Sequence, residues 1–142
     1  MIIRRFEDIE SWRRARELGA EVYGLSTKGK FRKDFSFRDQ VQRACISIMA
    51  NIAEGYGKYR PTDSIRCLTI AQASTAEVQS HLNIAVDLHY ITQPEFERLY
   101  GLSEGVRRLI GGFIRHLHRQ PGARNEKPAA SPHISQSSPL LH

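Results

Sequence analysis

Residues 40–55 read QVQRACISIMANIAEG, and the placement of apolar side chains in this stretch decides the fold. Val41, Ala44, Ile48 and Ile52 recur at three and four residues, the spacing of one helical face. Ile46, Met49, Ala50 and Ala53 fill the adjoining face. One face belongs to the core of a helical bundle. The other either widens that core or meets another subunit, because exposed apolar stripes of this size mark interfaces. We favour the subunit contact, and hence a homo-oligomer.

Working outward, Ser36 with Asp39 three residues on reads as the N-terminal cap of this helix, and Gly55 and Gly57 read as its stop. Upstream, Ile9, Trp12, Ala15, Gly19, Val22 and Leu25 mark a first helix from about Asp8 to Ser26. A basic, glycine-containing loop, Lys28 to Asp34, follows it. Downstream, Pro61–Thr62–Asp63 suits the first turn of a third helix. Its stripes are Leu68, Ala71, Thr75, Val78, Leu82 and Ala85 on one side, and Ile70, Ala73, Ile84, Leu88 and Ile91 on the other. Thr92 and Glu95 cap a fourth helix with Pro94 in its first turn. Phe96, Leu99, Val106, Leu109, Ile110, Phe113 and Leu117 carry it to about Arg119.

No segment alternates with period two, so the chain is expected to be all-α. Short connections make consecutive helices antiparallel neighbours, which gives an up-down-up-down four-helix bundle over residues 1–119. Residues 120–142 hold four prolines and little apolar periodicity, and are read as a disordered tail.

The 142 residues, 40% hydrophobic and 25% charged, suffice for one domain with an adequate core. The uncharged stretch Ala44–Ala53 contains Ser47 and Asn51 and is ten residues long, about half of a membrane span. No apolar run follows Met1–Arg5, so no signal peptide is read and the expected address is the cytoplasm, with no membrane partner. Two cysteines, Cys45 and Cys67, are too few for a disulfide framework and fall in apolar patterns as core thiols. The net charge of +6 is uneven: residues 1–60 carry 13 Lys/Arg against 8 Asp/Glu, whereas residues 61–119 carry 6 against 6. A basic half points to an anionic partner.

The stretch at 40–55 resembles the signature of the four-helix bundle proteins encoded in intervening sequences of bacterial large-subunit ribosomal RNA genes. Gln40, Arg43, Ala44, Ser47, Ile48, Asn51, Ile52, Ala53, Glu54 and Gly55 occupy the positions of that motif. Phe6, Trp12, Ala71, Ser74, Glu77 and Tyr90 extend the likeness, which covers about residues 4–117. Departures are Cys45 for an alanine, Met49 for a proline, Ala73 for a glycine, and the basic loop Lys28–Lys33. The resemblance implies an antiparallel four-helix bundle assembled as a ring of five. Accessory proteins of diversity-generating retroelements share the architecture, where they support a reverse transcriptase and its RNA.

Asn51 and Glu54 share a helical face and read as a structural polar pair, with an arginine as a further partner of Glu54. Di-iron carboxylate chemistry needs Glu-x-x-His on two helices, and the chain has no such motif; Glu77 and His81 are four apart. His116 and His118 point to different faces, His81 and His89 are read as packing or solvated, and His133 and His142 fall in the tail. No metal, cofactor, phosphate loop or activated nucleophile is expected. What remains is basic: Lys28, Lys30, Arg32 and Lys33 with Phe31 and Phe35 interleaved, then Arg38; and Lys58 and Arg60 beside Tyr56 and Tyr59. Cations beside aromatics suit phosphates and unstacked bases. The opposing interpretation is a solvated loop whose phenylalanines pack on the bundle end. The first choice is therefore a non-enzymatic oligomeric scaffold that binds RNA or DNA, or a nucleic-acid enzyme such as a reverse transcriptase, through its basic loops. The alternative is a protein-binding assembly module with no nucleic-acid role.

Overall fold

The computed structural model describes residues 3–122; from residue 123 the expected tail lies outside the described residues. A 3-10 turn at Phe6–Asp8 leads into α1 (Glu10–Ser26), a short α2 (Gly29–Lys33), α3 (Phe35–Gly57), α4 (Pro61–Asp87) and α5 (Gln93–His118). Among the described residues there is no strand. The four long helices run up-down-up-down: α1 packs on α3 and α5, and α4 packs on α3 and α5, closing a bundle.

The stripes read from the sequence line its core. Val41, Ala44, Ile48 and Ile52 of α3 and Leu68, Ala71, Thr75, Val78, Leu82 and Ala85 of α4 are all buried. Leu18 and Val22 of α1 and Leu99, Val106 and Ile110 of α5 complete the layer. Each fully buried aliphatic side chain contributes about 1.5–3 kcal/mol of transfer free energy. Both cysteines are buried and free.

Four local expectations change. The cap of α3 is Asp34, not Ser36: its carboxylate Oδ1 accepts from the Phe37 backbone N at 3.3 Å, and an anion there also meets the positive end of the helix dipole. Ser36 falls inside the first turn. The basic loop Lys28–Asp34 contains a helical turn, α2, entered through Gly29 at φ +55. Gly55 does not stop α3, which runs on to Gly57 and closes at an extended Lys58. Gly55 is small for another reason: a Cβ there would lie 3.3 Å from both Cys67 Cβ and the Ser64 carbonyl oxygen. Finally, α4 ends at Asp87, so Ile91 leaves the outer stripe and is buried in the following turn. The α5 start is as expected: Thr92 Oγ1 accepts from Glu95 N at 3.2 Å and Glu95 Oε1 from Thr92 N at 2.8 Å.

Candidate functional site

The chain direction places residues 27–36 and 87–93 at one end of the bundle, and 57–61 with both ends of the described chain at the other. The basic residues singled out in the sequence divide between these ends. The 23 residues of α3 separate them by roughly 35 Å. They are two surfaces.

At the first end, Lys28, Lys30, Arg32 and Lys33 are all exposed. Lys28 borders a shallow pocket with Glu21 and Glu95, but none of the four cations has an ion pair among the described residues. The Glu21 carboxylate is taken by Arg98, whose guanidinium holds it below the usual carboxylate range. The helix carrying these cations is fixed from beneath. Phe31 is 2% exposed and stacks on Phe37 and Tyr90, with centroids 5.6 and 5.4 Å away. Tyr90 OH donates to Asp34 Oδ2 at 2.7 Å. Arg38, half-buried, donates from Nη1 to the Arg32 carbonyl at 3.1 Å and lies 3.4 Å from Asp39 Oδ1. Its guanidinium thus fastens α2 to α3, unlike its four solvated neighbours. The two phenylalanines part company: Phe31 packs on the bundle end, while Phe35 stays 64% exposed with Arg38 over its ring at 5.1 Å.

At the other end the cations have carboxylate neighbours. Lys58 Nζ lies 3.5 Å from Glu54 Oε2, and Arg60 Nε lies 3.4 Å from Asp63 Oδ2, which Arg66 also faces through Oδ1 at 3.3 Å. Tyr59 is 99% exposed between them, and Tyr56 OH donates to the Ile3 carbonyl at 3.4 Å. The two basic groups therefore differ in free charge although their sequences look alike.

Asn51 and Glu54 share a face but are bonded apart. Asn51 Nδ2 donates to the Ser47 carbonyl and hydroxyl at 2.9 and 3.2 Å, and Glu54 turns to Lys58 rather than to an arginine. The ties between α3 and α4 are instead Ser47 to Ser74, 2.8 Å between hydroxyl oxygens, and Ser64 Oγ donating to the Gly55 carbonyl at 2.7 Å. Across α4 and α5, Gln79 Nε2 donates to Ser103 Oγ and Glu104 Oε2 at 3.0 and 2.7 Å. Gln79 follows Val78 beside the inner stripe of α4, and a lone glutamine there carries no sequence signal of partners 24 and 25 residues away.

Burial pushes the Cys45 thiol up to about 12, far from a nucleophile's range. Burial, with Glu54 nearby, also raises that of Cys67. His81 packs edge-on to Phe37 at 5.5 Å, with Nε2 3.4 Å from Glu77 Oε2 but out of line for a hydrogen bond. Among the described residues no three histidine, cysteine or acidic side chains converge as metal ligands, and no helix is long and apolar enough to cross a membrane.

A third surface is apolar. Ile46 on α3 is 52% exposed, Ile70 and Ile84 on α4 are 42% and 41% exposed, and Leu88, just past the end of α4, is 46% exposed. The outer stripes are thus divided: Met49 packs half-buried against the core, while these four side chains do not widen it.

Residues 7–112 match the profile of the 23S rRNA-intervening sequence protein family. Among solved structures, a protein of unknown function from the S23 ribosomal protein family of Bacteroides thetaiotaomicron is similar, with a TM-score of 0.68 at 24% identity. The match covers 74% of this chain and 98% of that one, and at this identity it speaks for the fold alone. No curated protein matches.

Proposed function

From the premise that the chain belongs to the 23S rRNA-intervening sequence protein family, we propose that it is a non-enzymatic accessory protein of the cytoplasm that binds nucleic acid through the basic face of α2. The observation carrying this reading is the set of four exposed cations without ion pairs among the described residues, Lys28 at the entry to α2 and Lys30, Arg32 and Lys33 within it, on a helical turn held in place by Phe31, Tyr90 and Arg38. Unpaired lysine and arginine keep their full attraction for phosphates, whereas a cation already facing a carboxylate has to give that contact up. Lys58 and Arg60 are therefore secondary contributors. Binding of a labelled RNA or DNA by the wild type, lost in a variant with the four α2 cations replaced by Gln and retained in Lys58→Gln/Arg60→Gln, supports the reading. The reverse pattern moves the site to the opposite end of the bundle.

The exposed isoleucines of α3 and α4 favour a second element of the reading, assembly with further copies of the chain. A ring, of five subunits by the family resemblance, repeats the α2 face and multiplies weak contacts by avidity. Should nucleic acid fail to bind at low salt, the exposed isoleucines support the alternative, a protein-binding assembly module with no nucleic-acid role.

A further inference from the structure

Phe31 and Phe35 lie four residues apart and end in opposite surroundings. Phe31 is buried; Phe35, the first residue of α3, holds its ring 64% exposed. One face of the ring is occupied. The Arg38 guanidinium lies over it at 5.1 Å, and that guanidinium is itself fixed by the Arg32 carbonyl and the Asp39 carboxylate. A cation on one face of a phenyl ring leaves the other face to stack. Through Arg38 the ring is joined to the short helix beside the four cations, which have no ion pairs among the described residues.

From this arrangement we infer that Phe35 is a stacking platform for an unpaired base, so that the α2 face takes single-stranded nucleic acid in preference to duplex. The inference rests on the nucleic-acid reading of α2. A single strand offers phosphates to Lys28, Lys30, Arg32 and Lys33 while turning one base onto the phenyl ring. A duplex keeps its bases stacked inside and offers the same surface phosphates only. The phenyl ring carries no hydrogen-bonding group, so RNA and DNA single strands share this chemistry.

The test is fluorescence anisotropy of the full chain with a 20-nucleotide single-stranded RNA, the DNA strand of the same sequence, and the corresponding RNA duplex. Phe35→Ala is expected to weaken single-strand binding about 5- to 100-fold and to leave duplex binding and the salt slope unchanged. Phe35→Trp is expected to keep the affinity and to show quenched indole emission on binding. Equal losses on RNA and DNA strands are the expected pattern; a loss on one alone assigns the ligand to that strand. An equal loss on single strand and duplex, or none, overturns the platform. If the Gln variant of the four cations still weakens both ligands, the α2 reading survives that failure. A Phe35→Ala protein of smaller light-scattering mass than the wild type makes Phe35 a subunit contact and overturns the platform as well. A wild type that binds none of the three ligands overturns both readings.

Discussion

Tyr90 donates a 2.7 Å hydrogen bond to Asp34, so the turn that follows α4 holds the residue that caps α3. The other oxygen of the same carboxylate accepts from Phe37 N, and the Tyr90 ring stacks on Phe31. One carboxylate and one phenol thereby orient the short basic helix. Asp34→Ala removes the cap, which costs about 0.5–2 kcal/mol, and strands the Tyr90 hydroxyl. The expected result is a melting temperature lower by several degrees, measured by circular dichroism; an unchanged value contradicts the role given to Asp34.

The pH dependence of that pair follows in sign. The hydrogen bond to Asp34, with burial and the carboxylate charge, holds the Tyr90 phenol above its ordinary value of 10.0. The folded state therefore keeps this proton more tightly than the unfolded state does. Its contribution to stability is complete below about pH 10 and is lost as pH rises through the folded value. Wild-type melting temperature is expected to fall more steeply above pH 10 than that of Tyr90→Phe. Parallel profiles contradict the assignment.

Gly55 and Gly57 make a matched pair. Alanine at Gly55 places a Cβ 3.3 Å from Cys67 Cβ and the Ser64 carbonyl, whereas at Gly57 nothing lies within 4 Å. Prying α3 from α4 costs about 1–3 kcal/mol, against the roughly 0.5–1 kcal/mol that alanine gains over glycine inside a helix. Gly55→Ala is expected to lower stability by about 1 kcal/mol, while Gly57→Ala is neutral or stabilising. Chemical denaturation checks both, and the opposite order contradicts the close approach.

The long helices were legible because the period of their apolar residues persists over roughly three to six turns. The inner stripes of α3 and α4 are buried as their spacing required; of the outer stripes, Ile46, Ile70, Ile84 and Leu88 stay exposed, Met49 packs half-buried against the core and Ile91 is buried. The short elements were not legible. Five residues, Gly29–Lys33, are too few to display a period. Whether Phe31 or Phe35 turns inward depends on the path between Ser26 and Asp34, which local pattern does not encode. Asp34 and Ser36 are both good caps, and the choice falls to Asp34 because Tyr90, 56 residues away, holds its second oxygen. The pairing of Lys58 with Glu54 at i, i+4 was readable from spacing, and it distinguishes that basic group from the one on α2.

The outer stripe leads to an assembly prediction. Ile46→Glu or Ile70→Glu is expected to lower the light-scattering mass toward the 16.2 kDa of one chain with helical content intact, since both side chains are exposed in the subunit. A wild type that already runs as a monomer, or variants that remain assembled, contradicts the use of this face.

Cys45 is 2% exposed and its thiol is pushed up to about 12 by burial. At pH 8 in the folded protein it is expected to resist a thiol-specific reagent, and to react within seconds to minutes once denatured. Rapid modification of the native protein at Cys45 contradicts the packing described for α3.

The most direct test of the α2 face is the slope of log K against log salt for binding to a single-stranded RNA. Each phosphate contact contributes about 0.7–0.9 to that slope. Replacing Lys28, Lys30, Arg32 and Lys33 together by Gln is predicted to flatten it by up to about 3, with little change in melting temperature because these side chains are solvated. An identical slope and affinity in the variant and the wild type would contradict the account.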